Sequence, residues 1–157
     1  MKTNFGKAGE GQSVWVAGDR YTIKATGEDT GGAFSLVEAE VPPGGGPPPH
    51  QHGREDEAFY VIEGEVEFQA DGKRSVAGPG CWITLAKGSV HSFKNLSQVT
   101  AKMLIFLTPA GFEQYFLEVG RPASPEDTVP IIPTHEDIER MLALAPKYGI
   151  EMFLSEK

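Results

Sequence analysis

No apolar run in this chain goes far before glycine or proline breaks it. The longest, Met103 to Leu107 among them, are only five residues. A membrane-spanning helix needs about 20 apolar residues, so none is expected. Short apolar runs bounded by turn residues are the pattern of β-strands. Nineteen glycines and twelve prolines supply the breaks. The strand candidates are SVWVA from Ser13, RYTIKAT from Arg20 and AFSLVEAEV from Ala33. In the last, Ser35, Val37, Ala39 and Val41 share one side, against Phe34, Leu36, Glu38 and Glu40. EAFYVIEGEVEFQ and KRSVAG flank Asp71-Gly72, a strong hairpin signal. CWITLA and SVHSFKNL flank a second turn at Lys87-Gly88, and TAKMLIFLTP closes the series.

After Pro109 the period changes. Phe112, Tyr115, Phe116 and Val119 stand at helical spacing, with Gly120 as the stop. A proline-punctuated connector, RPASPEDTVPIIP, leads to Thr134 and Asp137, spaced as a capping box. Ile138, Met141, Leu142 and Ala145 then make one apolar face, limited by Pro146. Strands first and helices last argue against alternating βαβ units. At 157 residues a single domain is expected, residues 1–157, with a helical extension from about 110 to 157.

A net charge of -8 and a pI near 5.0, with no cluster of Lys and Arg, argue against nucleic acid or an anionic membrane as partner. The lone Cys81 cannot form an internal disulfide and is expected to pack as a small apolar residue. The opening MKTNFGKAGEGQ lacks the apolar core of a signal peptide. A cytoplasmic protein is therefore expected.

Chemistry concentrates in PPPHQHGREDEAFYVIEG, residues 47–64. Its prolines hold an extended backbone, so His50 and His52, two apart, face the same way. Glu57 shares a face with Phe59 and Val61, while Asp56 points away. Glu55 has the parity of Glu57 but is placed in the intervening loop, leaving Glu57 as the one inward acid. His91, after the Lys87-Gly88 turn, is the further candidate; His135 suits an exposed place at a helix start. Three imidazoles and a carboxylate are a metal-ligand set, although His-x-His by itself is common on surfaces.

GGGPPPHQHGREDEAFYVIEG resembles the first motif of the cupin superfamily, G-x5-H-x-H-x4-E-x6-G, through Gly44, His50, His52, Glu57 and Gly64. GCWITLAKGSVHSFKN resembles the second, G-x5-P-x-G-x2-H-x3-N, through Gly80, Gly88, His91 and Asn95. Ala86 stands where the family usually has proline, a turn position outside the ligand set. The motifs cover 44–64 and 80–95. The resemblance implies an all-β fold, the cupin double-stranded β-helix or jelly-roll barrel of six to eight strands, here with short C-terminal helices. It also implies one divalent transition metal (Fe, Mn, Co, Ni, Cu or Zn) held by His50, His52, Glu57 and His91.

Cupins differ widely in chemistry. The length and the C-terminal KYGIEMF region resemble small bacterial cupins related to quercetin 2,3-dioxygenases. That likeness implies a dioxygenase acting on an aromatic or enolisable small molecule, with Glu57 as catalytic base. The alternatives are a non-redox isomerase or lyase, or a cupin that binds a small ligand without catalysis. By strand parity Phe59, Phe93 and Met103 are inward candidates for the substrate pocket, and Phe112, Tyr115 and Phe116 for its cover. Arg20, Arg54, Arg74, Arg121 and Arg140 form no inward set, which disfavours phosphate-rich substrates. A homodimer is expected, because open sheets avoid bare edges; SVWVAG, RYTIKAT and the outward Tyr60 and Ile62 are its candidate surface.

Overall fold

The structure is a computed structural model, described over residues 1–154. The chain runs through β1 (Gln12–Val16), β2 (Asp19–Ala25), α1 (Gly27–Thr30), β3 (Ser35–Val41), β4 (His50–His52) and β5 (Asp56–Glu63). It continues through β6 (Val66–Ala70), β7 (Lys73–Ala77), β8 (Trp82–Leu85), β9 (His91–Asn95) and β10 (Ala101–Thr108). Then come α2 (Glu113–Val119), β11 (Arg121–Pro122), α3 (His135–Leu144) and β12 (Ile150–Met152).

Two antiparallel sheets face each other. One has the order β11-β1-β2-β3-β10-β5-β8, the other β12-β4-β9-β6-β7. From β5 to β10 the chain passes back and forth between them, the winding of a jelly roll. Seven and five strands exceed the six to eight that the resemblance implies. Short additions account for part of the surplus: β11 spans two residues and β12 three.

Alternation decides which side chains meet between the sheets. Ser35, Val37, Ala39 and Val41 are buried along β3, and Glu57, Phe59 and Val61 along β5, with Tyr60 and Ile62 outside. Both parities match the expectation. Between the sheets Val37, Val61, Val66, Met103 and Leu107 have no more than traces of exposed surface. At ~1.5–3 kcal/mol per buried large side chain, this layer is the main term holding the sheets together.

The Asp71-Gly72 hairpin forms between β6 and β7, with φ of 50° and 77°, the left-handed conformations that a two-residue turn demands. The Lys87-Gly88 turn does something different: it carries the chain from β8 in one sheet to β9 in the other. Thr134 and Asp137 close their capping box on α3. Gly120 ends α2 in extended conformation, φ -74°, not in the left-handed one. It is needed for close approach: a Cβ there would lie 2.6 Å from that of Val14. Cys81 is exposed, contrary to expectation, because it sits in the tight Gly78–Cys81 turn at the sheet's rim.

Candidate metal centre

The site forms where the two sheets face each other at one end of the barrel. β4 carries His50 and His52, and pairs His50 directly against His91 of β9. Glu57 comes from β5 in the opposite sheet. The Gly88 amide donates to the His52 carbonyl at 2.8 Å, tying the second turn to the first histidine strand. β12 borders β4 on its other side, Ile150 against His52 and Met152 against His50. All four site side chains are buried, and their donor atoms lie within 4.8 Å of one another.

The ring nitrogens are sorted by their backbone partners. His50 Nδ1 and His91 Nδ1 each lie 2.9 Å from a carbonyl, of Pro48 and Ser89. An N–H must donate there, which leaves both Nε2 lone pairs free. His91 Nε2 then faces Glu57 Oε2 at 2.9 Å, and His52 Nε2 faces it at 3.4 Å. Neither Glu57 Oε2 nor His91 Nε2 has a hydrogen-bond partner of acceptable geometry. Two acceptors that close, out of water, repel unless a cation lies between them. Donors at about 2.1 Å from one metal ion and at right angles stand about 3 Å apart, so this set fits a single ion.

The electrostatics agree. Burial disfavours a charged Glu57, but the three histidines around it prevail and hold its pKa below the usual value. Burial likewise disfavours the His91 cation, yet Glu57 beside it raises the His91 pKa. His50 is pushed down to about 4, by burial and then by His91, and stays neutral.

Sequence reasoning missed the buried acid behind His52. Glu55 does lie in the loop, but its side chain turns inward, and Oε2 stands 3.5 Å from His52 Nδ1. Neither atom has a hydrogen-bond partner, so the contact is one of charge and proximity. Its shared parity with Glu57 was the available signal. Asp56 points outward as expected and accepts the Lys87 amide at 2.8 Å. His135 is exposed beside Glu139.

A cavity of about 50 Å³ adjoins His50, His52 and Glu57. Phe59, Phe93, Phe112, Tyr115 and Phe116 line it. Met103 does not: it packs deep in the core, level with Val61, whereas Ile105, opposite Phe59, reaches the cavity wall. α2 supplies the cover, with the Phe112 ring edge-on to His52 at 4.6 Å. Buried Glu113 anchors that helix by accepting the Gly27 and Gly111 amides, each at 2.7 Å. Asp19, Tyr21, Met141 and Met152 complete the wall in places the sequence did not single out. The cavity lining includes no Lys or Arg.

Comparison with known proteins agrees with this architecture. The cupin domain family matches residues 37–107. Quercetin 2,3-dioxygenase of Bacillus subtilis (strain 168) is 32% identical over 116 residues, 74% of this chain and 34% of that protein. Quercetin 2,3-dioxygenase of Aspergillus japonicus is 26% identical over 133 residues, 80% of this chain and 38% of that protein. The chain spans little more than a third of the length of these curated relatives. Among solved structures, KdgF from Halomonas sp. superposes with a TM-score of 0.63 at 20% identity, covering 71% of this chain and 99% of that one. Motifs, winding and domain match converge, and the chain belongs to the cupin superfamily.

Proposed function

We propose that this chain is a metal-dependent dioxygenase acting on an aromatic or enolisable small molecule. The observation that carries the reading is the junction of a buried His₃Glu donor set with an aromatic cavity free of cationic side chains. A phosphorylated substrate would find no countercharge there. The similarity to two proteins named quercetin 2,3-dioxygenase supports the same choice.

A bound divalent transition metal would supply Lewis acidity and, if redox-active, electron exchange with O₂. The chain's own residues would do the rest. His50, His52, His91 and Glu57 would hold the ion. Glu57 Oε2, ionised and without a hydrogen-bond partner, would accept the proton of a substrate hydroxyl. Phe59, Phe93 and Phe112 would flank the ring and exclude water. The cavity is far below the ~300 Å³ of common ligand pockets. Tyr115 and Phe116 on α2 would therefore shift to admit an aromatic ring.

The test loads metal-free protein with Fe²⁺, Co²⁺, Ni²⁺ or Zn²⁺ and measures oxygen uptake with flavonols, catechols and β-diketones. Turnover under air, lost under argon, is expected. Equal rates under argon would replace the oxygenase with a Lewis-acid isomerase or lyase, and no turnover at all would leave a ligand-binding cupin. In Glu57→Gln, turnover should fall ~10²-fold or more, with substrate binding retained.

A further inference from the structure

The cavity has a second polar station that the metal set does not use. Apart from His50, His52 and Glu57, its lining carries three polar side chains: Asp19, Tyr21 and Tyr115. The Tyr115 hydroxyl is already committed, donating to the Met141 carbonyl at 2.8 Å. The Tyr21 hydroxyl donates to Asp19 Oδ2 at 3.2 Å. Asp19 Oδ1 has no partner, in a residue only 2% exposed. A buried polar atom left unpaired destabilises the fold, so its persistence on a cavity wall needs a reason.

The surroundings are fitted to that carboxyl group. Gly45 leaves room for it: a Cβ at that position would lie 2.6 Å from Asp19 Oδ1. Part of the glycine run between the prolines thus serves to seat Asp19 at the cavity. Tyr21 is fixed in turn by stacking on Phe116 of the cavity cover, with ring centroids 4.2 Å apart. The pair stands on β2, apart from the strands β4, β5 and β9 that carry the metal set. Building on the metal-pocket reading above, we infer that Asp19 and Tyr21 form a distal polar subsite. It recognises a hydroxyl on a substrate whose other oxygens face His50, His52, Glu57 and His91. The substrate class is thereby narrowed to ring compounds with a chelating oxygen pair and a further hydroxyl away from it.

The ionisation of the pair agrees with a role toward a neutral group. Burial raises the Asp19 pKa to about 7, against the pull of Tyr21 and the Gly46 amide. Near neutral pH its carboxyl group can therefore accept or donate a hydrogen bond.

Two matched probe pairs test the subsite by calorimetry on the Co²⁺-loaded full chain. Maltol and kojic acid share a hydroxy-ketone chelating edge, but only kojic acid has a hydroxymethyl group. 3-Hydroxyflavone and 3,4′-dihydroxyflavone repeat the comparison on a longer frame. In at least one pair the hydroxyl-bearing probe should bind about tenfold tighter, the scale of one hydrogen bond. Tyr21→Phe and Asp19→Ala should erase that preference and leave the partner probe's affinity unchanged. Unchanged binding of that partner also shows that the variant has folded with its metal pocket intact. Equal binding within both pairs by wild type would overturn the subsite alone, and so would an equal loss for both members in Tyr21→Phe. If no probe binds the loaded wild type, the metal-pocket reading falls and the subsite with it.

Discussion

His91 Nε2 and Glu57 Oε2 face each other at 2.9 Å from strands of opposite sheets. Glu57 raises the His91 pKa and the histidines lower that of Glu57, so a proton bound by this pair competes with a metal. Metal must displace that proton. Apparent affinity should therefore rise with pH while His91 is protonated, by up to about tenfold per unit, and level off above the His91 pKa. Titration with a competing chelator between about pH 6 and pH 8 measures it. PH-independent affinity would count against this linkage.

Loss of one imidazole leaves too few donors. His52→Ala and His91→Ala should carry far less metal after purification than wild type, by elemental analysis. His135→Ala should match wild type, because that ring is exposed on α3. Full occupancy in the His91 variant would remove the assignment.

Glu55 Oε2 stands behind His52, 3.5 Å from its Nδ1, placed to hold the ring once a metal takes Nε2. Glu55→Gln keeps the shape but weakens the partner of Nδ1, so metal affinity should drop ~10–100-fold, as for other carboxylates behind a metal-binding histidine. Asp56→Asn is the control, since its side chain caps the Lys87 amide outside the site. Equal effects from both variants would mean that only net charge matters.

Asp19 ties stability to pH with a definite sign. Its folded pKa, about 7, stands above the ordinary 3.8, so the fold favours the protonated acid. That contribution is complete below pH 3.8 and is lost as pH rises through about 7. Asp19→Asn cannot ionise. Its Tm relative to wild type should climb between pH 5 and pH 8, toward a difference of at most about 4 kcal/mol. Parallel Tm curves for the two proteins would show that Asp19 does not titrate in the fold.

The expected dimer needs a different surface from part of the one first envisaged. Val14, Trp15 and Val16 of β1 and Tyr21 and Ile23 of β2 are buried within the chain. Tyr60 and Trp82, paired across β5 and β8, are 48% and 70% exposed, with Ile62 and Phe106 also outward. Light scattering should give twice the chain mass, and Trp82→Glu should shift it toward one. A wild-type monomer at micromolar concentration would overturn the proposal.

Much of this was legible because strand parity is a strict rule. Once AFSLVEAEV and EAFYVIEG are read as strands, Val37, Glu57, Phe59 and Val61 must face inward. Parity says nothing about depth along the barrel, which is why Met103 was placed at the cavity when only Ile105 reaches it. It is equally silent on loops. Glu55 turns inward through loop geometry, and Asp19 meets the site only because β2, 31 residues before His50, is folded against the same end. Gly120 was read by its commonest use, while its neighbour Val14 comes from the far end of the sequence.

The pairing of β12 with β4 has a consequence for biosynthesis. Gln51 and Glu151, joined side chain to side chain at 2.7 Å, are 100 residues apart in the chain. The histidine strand has one neighbour, β9, available early in translation, and its second only after residue 152 leaves the ribosome. A nascent chain therefore holds its four donors in an unfinished sheet, its Met152 wall missing. The wall beside His50 and His52 is therefore closed by residues about 100 positions further along the chain, and a chain ending before β12 would leave the histidine strand with one neighbour.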